Sequence, residues 1–68
     1  MRTYGKLREL IRKKFGTLGK FAEAIGMHRS SLSHKINGLS AWGQDEIEKA
    51  CSLLGIPLSE VYDYFFYE

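Results

Sequence analysis

The sequence contains one cysteine, one proline and two histidines in 68 residues. A single cysteine, Cys51, excludes a disulfide framework within the chain and agrees with a reducing compartment. Cys51, His28 and His34 are too few and too scattered to form a structural zinc site, so we expect no metal. Nothing else in the composition indicates a cofactor or a small-molecule ligand, and neither is predicted.

Long hydrophobic runs are absent as well. No apolar stretch approaches the roughly 20 residues that span a bilayer, and the N-terminus has no apolar signal segment. No Ser–His–acid or Cys–His arrangement and no phosphate-binding glycine loop can be identified, so we expect no enzymatic activity. These absences predict one small cytoplasmic domain over residues 1–68, with no membrane partner and no room for a deep active site.

Charge is unevenly distributed along the chain. The formal net charge is only +2, but residues 1–35 carry nine basic and two acidic side chains, whereas residues 36–68 carry one basic and six acidic side chains. The two halves therefore have net charges of +7 and −5. A basic half is typical of a nucleic-acid footprint, and it equally fits a solvated surface whose two halves attract one another.

Apolar residues recur at helical spacing, and no segment shows the alternation that is typical of a strand. Thr17 is a typical N-cap, while Asn37-Gly38 and Gly55 are typical helix ends. Trp42 is expected to cover the core above the third and fourth helices. The sequence thus predicts a compact all-α fold with helices at about 3–14, 18–24, 29–36, 44–54 and 58–64.

Residues 17–37 have the pattern of a helix-turn-helix motif. Ala22 lets two helices approach closely, Gly26 permits the sharp turn between them, and Leu32 holds the second helix against the core. On these positions, the chain resembles the phage-repressor and Cro-like helix-turn-helix family, the lambda-repressor-like DNA-binding domains. The matching pairs are Phe21-Ala22, Ile25-Gly26, Arg29-Ser30, Leu32-Ser33 and Asn37-Gly38.

The chain departs from the pattern of that family at several positions. Leu18 stands where many relatives have a phosphate-binding glutamine, and His28 stands where a serine often caps the reading helix. Relatives often bury an arginine of the first helix against a glutamate, and the corresponding residues here are Ile11 and Ile36. Two aliphatic side chains can replace a buried ion pair without loss of stability.

The resemblance implies a sequence-specific, double-stranded DNA-binding transcriptional regulator of the Cro or short-repressor type. It would be encoded by a phage or prophage and act in a bacterial host, with its third helix in the major groove of an operator. Helical position and motif together assign base reading to Arg29, Ser30 and His34. The residues expected to contact DNA phosphates are Thr17, Lys20, Ser33, Lys35, Asn37 and Ser40.

The C-terminal segment 62–68 contains five aromatic residues. One interpretation places Val61, Tyr62 and Phe65 in the monomer core, because small domains recruit their termini. The other uses Tyr64, Phe66 and Tyr67 as the interface of a weak homodimer, which would form in solution or only on DNA. An alternative function of a different class is a protein-binding module on the same fold, antirepressor-like or antitoxin-like, that uses this aromatic tail.

Overall fold

Five α-helices account for most of the described chain. The computed structural model describes residues 4–66, and no strand occurs within that range. The α-helices are α1 (Gly5–Phe15), α2 (Leu18–Ile25), α3 (Arg29–Ile36), α4 (Gln44–Leu54) and α5 (Val61–Phe65), and a 3-10 helix (Leu58–Glu60) precedes α5. The prediction of an all-α fold with five helices is confirmed, and the bounds predicted for the third and fourth helices agree with the structure.

Local capping sets the bounds of α2. Thr17 Oγ1 accepts a hydrogen bond from the N–H of Lys20 at 3.2 Å, which confirms Thr17 as the N-cap. Gly26 ends the helix with a left-handed backbone (φ 76°), which lets the N–H of Met27 bond to the carbonyl oxygen of Ala22 at 2.9 Å. The chain therefore turns sharply enough to pack α3 against α2.

The two terminal helices differ from their predicted bounds. The residue before α1, Tyr4, has a left-handed backbone (φ 51°) and a buried side chain, so regular helix begins only at Gly5. The predicted fifth helix is a 3-10 turn followed by the short α5, with Pro57 in extended conformation just before them. The helix is interrupted at Glu60, whose backbone (φ −111°, ψ 4°) is not helical.

Every α-helix contributes apolar side chains to the core. Ile11 of α1 and Ile36 of α3 are both buried. Apolar packing therefore stands where lambda-repressor-like domains often have a buried ion pair. The buried residues are Tyr4, Leu7, Ile11, Phe21, Ala22, Ile25, Leu32, Ile36, Ala50, Leu54, Ile56 and Phe65.

Trp42 packs against aromatic residues from both ends of the chain. Its ring meets Phe65 edge-on with centroids 5.1 Å apart, and it meets Tyr4 at 6.4 Å. Trp42 thus joins the start of α1 to α5, and it packs against the buried core as expected. The sequence did not indicate the ring contacts with Tyr4 and Phe65, because both residues are distant from Trp42 along the chain.

Replacing Ala22 with phenylalanine should destabilise the fold. Ala22 is buried in α2 and faces the tight turn into α3, so a larger ring must push the two helices apart. We expect a loss of about 1–3 kcal/mol in the free energy of unfolding, measured by thermal or urea denaturation followed by circular dichroism. The exposed neighbour Ala24 provides the control, and equal stability of Ala22→Phe and Ala24→Phe would contradict this placement of the turn.

Candidate functional site

The outer face of α3 carries the three residues predicted to read DNA bases. Arg29, Ser30 and His34 are all exposed, because Leu32 and Ile36 hold the opposite face of the helix in the core. The helical spacing therefore predicts this shared face correctly.

His28 caps α3 through its imidazole ring. Its Nδ1 lies 3.4 Å from the backbone nitrogen of Ser30 and 3.0 Å from Ser30 Oγ. A histidine thus supplies the acceptor that a serine often supplies in the resembling family. The Ser30 hydroxyl is engaged in this local cap.

Five of the six residues predicted to contact phosphates lie at helix ends or on the rim of the helix-turn-helix. Thr17, Lys20, Asn37 and Ser40 are exposed, and Ser33 is half-buried. Thr17 caps α2, and Asn37 Nδ2 donates a hydrogen bond to Ser33 Oγ at 3.3 Å. Thr17, Ser33 and Asn37 therefore have structural contacts that need no ligand.

Lys35, the sixth of these residues, is held by the loop before α4. Its Nζ donates to the carbonyl oxygen of Ala41 at 2.8 Å and lies 3.1 Å from Glu46 Oε1. The same carboxylate oxygen accepts the backbone N–H of Gly43 at 2.7 Å and so caps α4. The charge of Lys35 is directed into the molecule, where it joins α3 to α4.

A second cation is used at the C-terminal end of α3. Arg8 of α1 donates from Nη2 to Asn37 Oδ1 at 2.8 Å and to the carbonyl oxygen of Ile36 at 3.3 Å. The last carbonyl groups of a helix lack partners within the helix and carry partial negative charge. Arg8 therefore stabilises the end of the helix that was predicted to read DNA.

Two lysines lie close to the ends of other helices. A Cβ placed on Gly55, just after α4, would lie 3.3 Å from Lys14 Nζ, and one placed on Gly26, just after α2, would lie 3.5 Å from Lys49 Nζ. Cations are favoured at these ends of helices. Of the two, only Lys14 belongs to the basic N-terminal half, where Arg8 and Lys35 already have contacts within the fold.

Apolar side chains are exposed along the C-terminal helical segment. Leu58, Tyr62 and Phe66 follow one another at four-residue intervals and are 91%, 64% and 41% exposed. The rings of Tyr62 and Phe66 are stacked, with centroids 6.2 Å apart and planes 24° apart. We call these three residues the apolar stripe.

The sequence predicted the tail only in part. Phe65 is buried and Val61 half-buried, which confirms the core interpretation for both, whereas its placement of Tyr62 in the core is wrong. Leu58 was not recognised as a surface residue, although its spacing to Tyr62 and Phe66 was a usable signal. Tyr67, predicted for a dimer interface together with Tyr64 and Phe66, lies outside the described residues.

A shallow groove of about 480 Å³ lies between α1 and α5. Its apolar floor consists of the half-buried Leu10 and Tyr64, and Lys6 Nζ lies 5.2 Å from the centroid of the Tyr64 ring, a cation–π distance. We call it the basic groove, because three of its six lining side chains are cationic. The lining residues are Lys6, Glu9, Leu10, Arg12, Lys13 and Tyr64.

Cys51 is half-buried on the inner side of α4, and burial raises the pKa of its thiol. A raised pKa keeps the thiol protonated and makes it a poor nucleophile, which agrees with a packing role. Within residues 4–66, no group of three or more His, Cys, Asp or Glu side chains is arranged to hold a metal ion. No helix in the same range is long and apolar enough to cross a membrane.

Comparison with known proteins places the chain in a family. A family model described as "Protein of unknown function (DUF739)" matches residues 2–68, and the chain belongs to this family. The chain is similar to the solution structure of the modulator of repression (MOR) of the temperate bacteriophage TP901-1 from Lactococcus lactis. The two are 36% identical with a TM-score of 0.84, over 94% of this chain and 86% of the other. No curated protein matches the chain.

The prediction of a sequence-specific DNA-binding regulator of the Cro type is wrong. The similar structure is a modulator of repression, and the family match covers nearly the whole chain. The helix-turn-helix geometry is present, but Arg8 and Lys35 are engaged in contacts within the protein. The base-reading and phosphate-contact roles of individual residues were inferred from that function, and they remain untested predictions.

Removing the charge of Glu46 should weaken the fold at neutral pH and not in acid. The N–H of Gly43 lowers the pKa of Glu46 below its ordinary value of 4.5, Lys35 lowers it further, and burial opposes both. A carboxylate with a depressed folded-state pKa contributes stability above its unfolded pKa and loses it as the pH falls through the folded value. We expect Glu46→Gln to lose about 0.5–2 kcal/mol at pH 7.

Melting temperatures from pH 7 down to pH 3 test this expectation. The wild type and Glu46→Gln should converge as the pH falls below 4.5, the ordinary pKa of the group. Glu48→Gln on the same helix is the control, because Glu48 accepts only a long 3.4 Å bond from Gln44 there, and it should change the melting temperature by less. A gap between wild type and Glu46→Gln that stayed constant over this range would contradict the proposed cap.

Proposed function

We propose that this DUF739 protein modulates transcriptional repression by binding a repressor protein through its apolar stripe. The observation that carries the proposal is its likeness to the modulator of repression of a temperate phage, at 36% identity and a TM-score of 0.84. The proposed setting is the cytoplasm of a bacterial cell that carries a phage or prophage. This role requires no catalysis, cofactor or membrane.

The composition of the apolar stripe supports a protein partner. Leu58 is almost fully exposed, and the rings of Tyr62 and Phe66 on the following helix are stacked and exposed as well. Large aromatic side chains dominate many protein interfaces, because they bury much area and have few rotatable bonds. A partner that buries this stripe would gain the free energy of removing it from water.

The charges beside the stripe indicate the chemistry of the partner's surface. Glu60 and Asp63 are exposed on the same helical segment, and we call this pair the acidic ridge. A repressor that binds DNA carries cationic side chains for the phosphates of its operator. An apolar patch bordered by cations therefore complements the C-terminal segment, and opposite charges would orient the encounter.

The outer face of α3 is less suited to binding a repressor. Arg29, Ser30 and His34 are polar and exposed but include no large apolar anchor. Among the large hydrophobic residues exposed within residues 4–66, Leu39 follows α3 and Leu53 lies on α4. The other three, Leu58, Tyr62 and Phe66, belong to the C-terminal segment. The C-terminal segment therefore offers the larger continuous apolar contact.

A direct binding measurement tests the proposal. The chain is titrated by calorimetry against the purified repressor encoded in the same genome, and its effect on repressor bound to operator DNA is followed by gel shift. The chain alone with operator DNA is the control for the gel. Absence of binding to the repressor at high micromolar concentrations of both proteins would refute the proposed function.

Leu58→Asp should weaken binding to the repressor at least tenfold, which corresponds to about 1.4 kcal/mol. A charge in place of Leu58 removes an apolar contact and must be desolvated at the interface. The matched control is Leu39→Asp, since Leu39 is also exposed (67%) and lies outside the stripe. Both variants should melt close to the wild type. Equal losses of affinity in the two variants would place the interface elsewhere.

A further inference from the structure

We propose that two copies of this chain associate through α1 and α5, with the acidic ridge of each copy in the basic groove of the other. The proposal combines two features that lie side by side on one face of the molecule. The occupant of the groove is thus a second copy of the same chain, whose own surface provides the complementary charges.

Helical geometry places the ridge beside the groove. Phe65 points into the core, and Asp63 lies about 200° from it around the helix, on the side opposite the core. Tyr64 turns towards α1 and forms part of the groove floor. A second protein that approaches this face therefore meets the acidic ridge first and the groove directly next to it.

The groove has the composition that an acidic helix requires. Lys6, Arg12 and Lys13 supply three cations against the single carboxylate of Glu9. Its floor of Leu10 and Tyr64 is apolar and half-buried, which leaves surface for further burial. An inserted helix with carboxylates on its exposed side would pair with the lysines and cover this floor.

The neighbouring positions of ridge and groove permit a closed, symmetric dimer. In an isologous interface each contact occurs twice, since the same patch is used by both copies. If the ridge of one copy enters the groove of its partner, a two-fold axis between the α5 helices brings the partner's ridge into the first groove. The association then stops at two copies.

The dimer should be weak and sensitive to salt. Only one face of α1 and the short α5 of each copy take part, so the interface should fall below the standard size of about 800 Å² per partner. Dissociation constants between about 10 µM and 1 mM are expected for such a contact. Exposed charges are screened over about 10 Å at 0.1 M salt, so association should weaken as salt is raised.

Sedimentation equilibrium of the full chain tests the proposal without any other protein. At low salt, the apparent mass should rise from monomer to dimer over this concentration range and return to monomer at high salt. Lys13→Glu and Asp63→Lys should each weaken association at least tenfold. In a symmetric dimer the contact occurs twice, so each substitution places like charges opposite one another at two positions. Both residues are exposed, so melting should change little, and Lys20→Glu outside the groove is the control.

The decisive measurement is a mixture of the two charge-reversed variants. In a Lys13→Glu chain paired with an Asp63→Lys chain, residue 13 of each copy again lies opposite a residue 63 of opposite charge, so association should return. A mixture that stays monomeric would overturn the ridge-in-groove contact. The wild-type chain could also stay monomeric at 1 mM and bind poly-glutamate in its groove. That result would show that the groove accepts acidic chains but that a second copy is not its occupant.

A regulatory consequence follows that rests on the proposed function. The ridge and the apolar stripe share one helical segment, and a helix is only about 10 Å across, so a second copy and a repressor cannot both pack on it. Self-association would therefore oppose repressor binding at high concentration. In competition assays, Lys13→Glu should bind the repressor at least as tightly as wild type at 1 µM, and severalfold more per chain at 500 µM.

The two proposals can fail separately. Lack of repressor binding would refute the proposed function and leave the sedimentation result intact. Repressor binding by a chain that never dimerises would refute only the self-association. Equal repressor binding by the wild type and Lys13→Glu at both concentrations, with dimers present, would refute the competition.

Discussion

The contact between Phe65 and Trp42 fixes the rotation of α5 and thereby determines which C-terminal side chains reach the surface. The two rings meet edge-on with centroids 5.1 Å apart, and Phe65 is only 2% exposed. With one residue of a short helix held inward, the 100° step between residues fixes the others. Tyr62 and Phe66 then point to one side and Tyr64 to the other, towards α1. A core this small has to recruit its terminus, and the recruitment creates an exposed apolar surface.

The cations of the N-terminal half show why net charge along a sequence is a poor guide to a partner. Arg8 stabilises the end of α3, and Lys35 holds the loop before α4 together with Glu46. Arg8 and Lys35 donate hydrogen bonds to backbone carbonyl groups that have no partner within a helix, and Lys35 also pairs with the carboxylate of Glu46. Lys6 and Lys13, in contrast, line an open groove. The same residue type thus has structural or recognition roles according to which helix end lies within reach.

Much of the fold could be predicted, because its helix boundaries are encoded locally. Thr17 as an N-cap, Gly26 as a left-handed end and the spacing of Leu32 and Ile36 act within a few residues of their position in the chain. The position of Trp42 could not be predicted, since it depends on Tyr4 and Phe65, which are distant in sequence. The candidate site was predicted only as an aromatic tail. Helical spacing identified Val61 and Phe65 as inward residues, but it misplaced Tyr62, because the exact rotation of α5 depends on its contact with Trp42.

The helix-turn-helix predicted the architecture correctly and the function wrongly, and both results have one physical origin. Ala22, Gly26 and Leu32 satisfy steric demands of the turn that are the same whatever the outer face of α3 contacts. A fold therefore constrains its inward residues, while function depends on the outward ones. On the outward side, three of the five large hydrophobic residues exposed within residues 4–66 lie on the C-terminal segment, and none lies on α3. Burial of such side chains stabilises a complex, so the C-terminal segment is better suited to recognition than the helix that the motif presents.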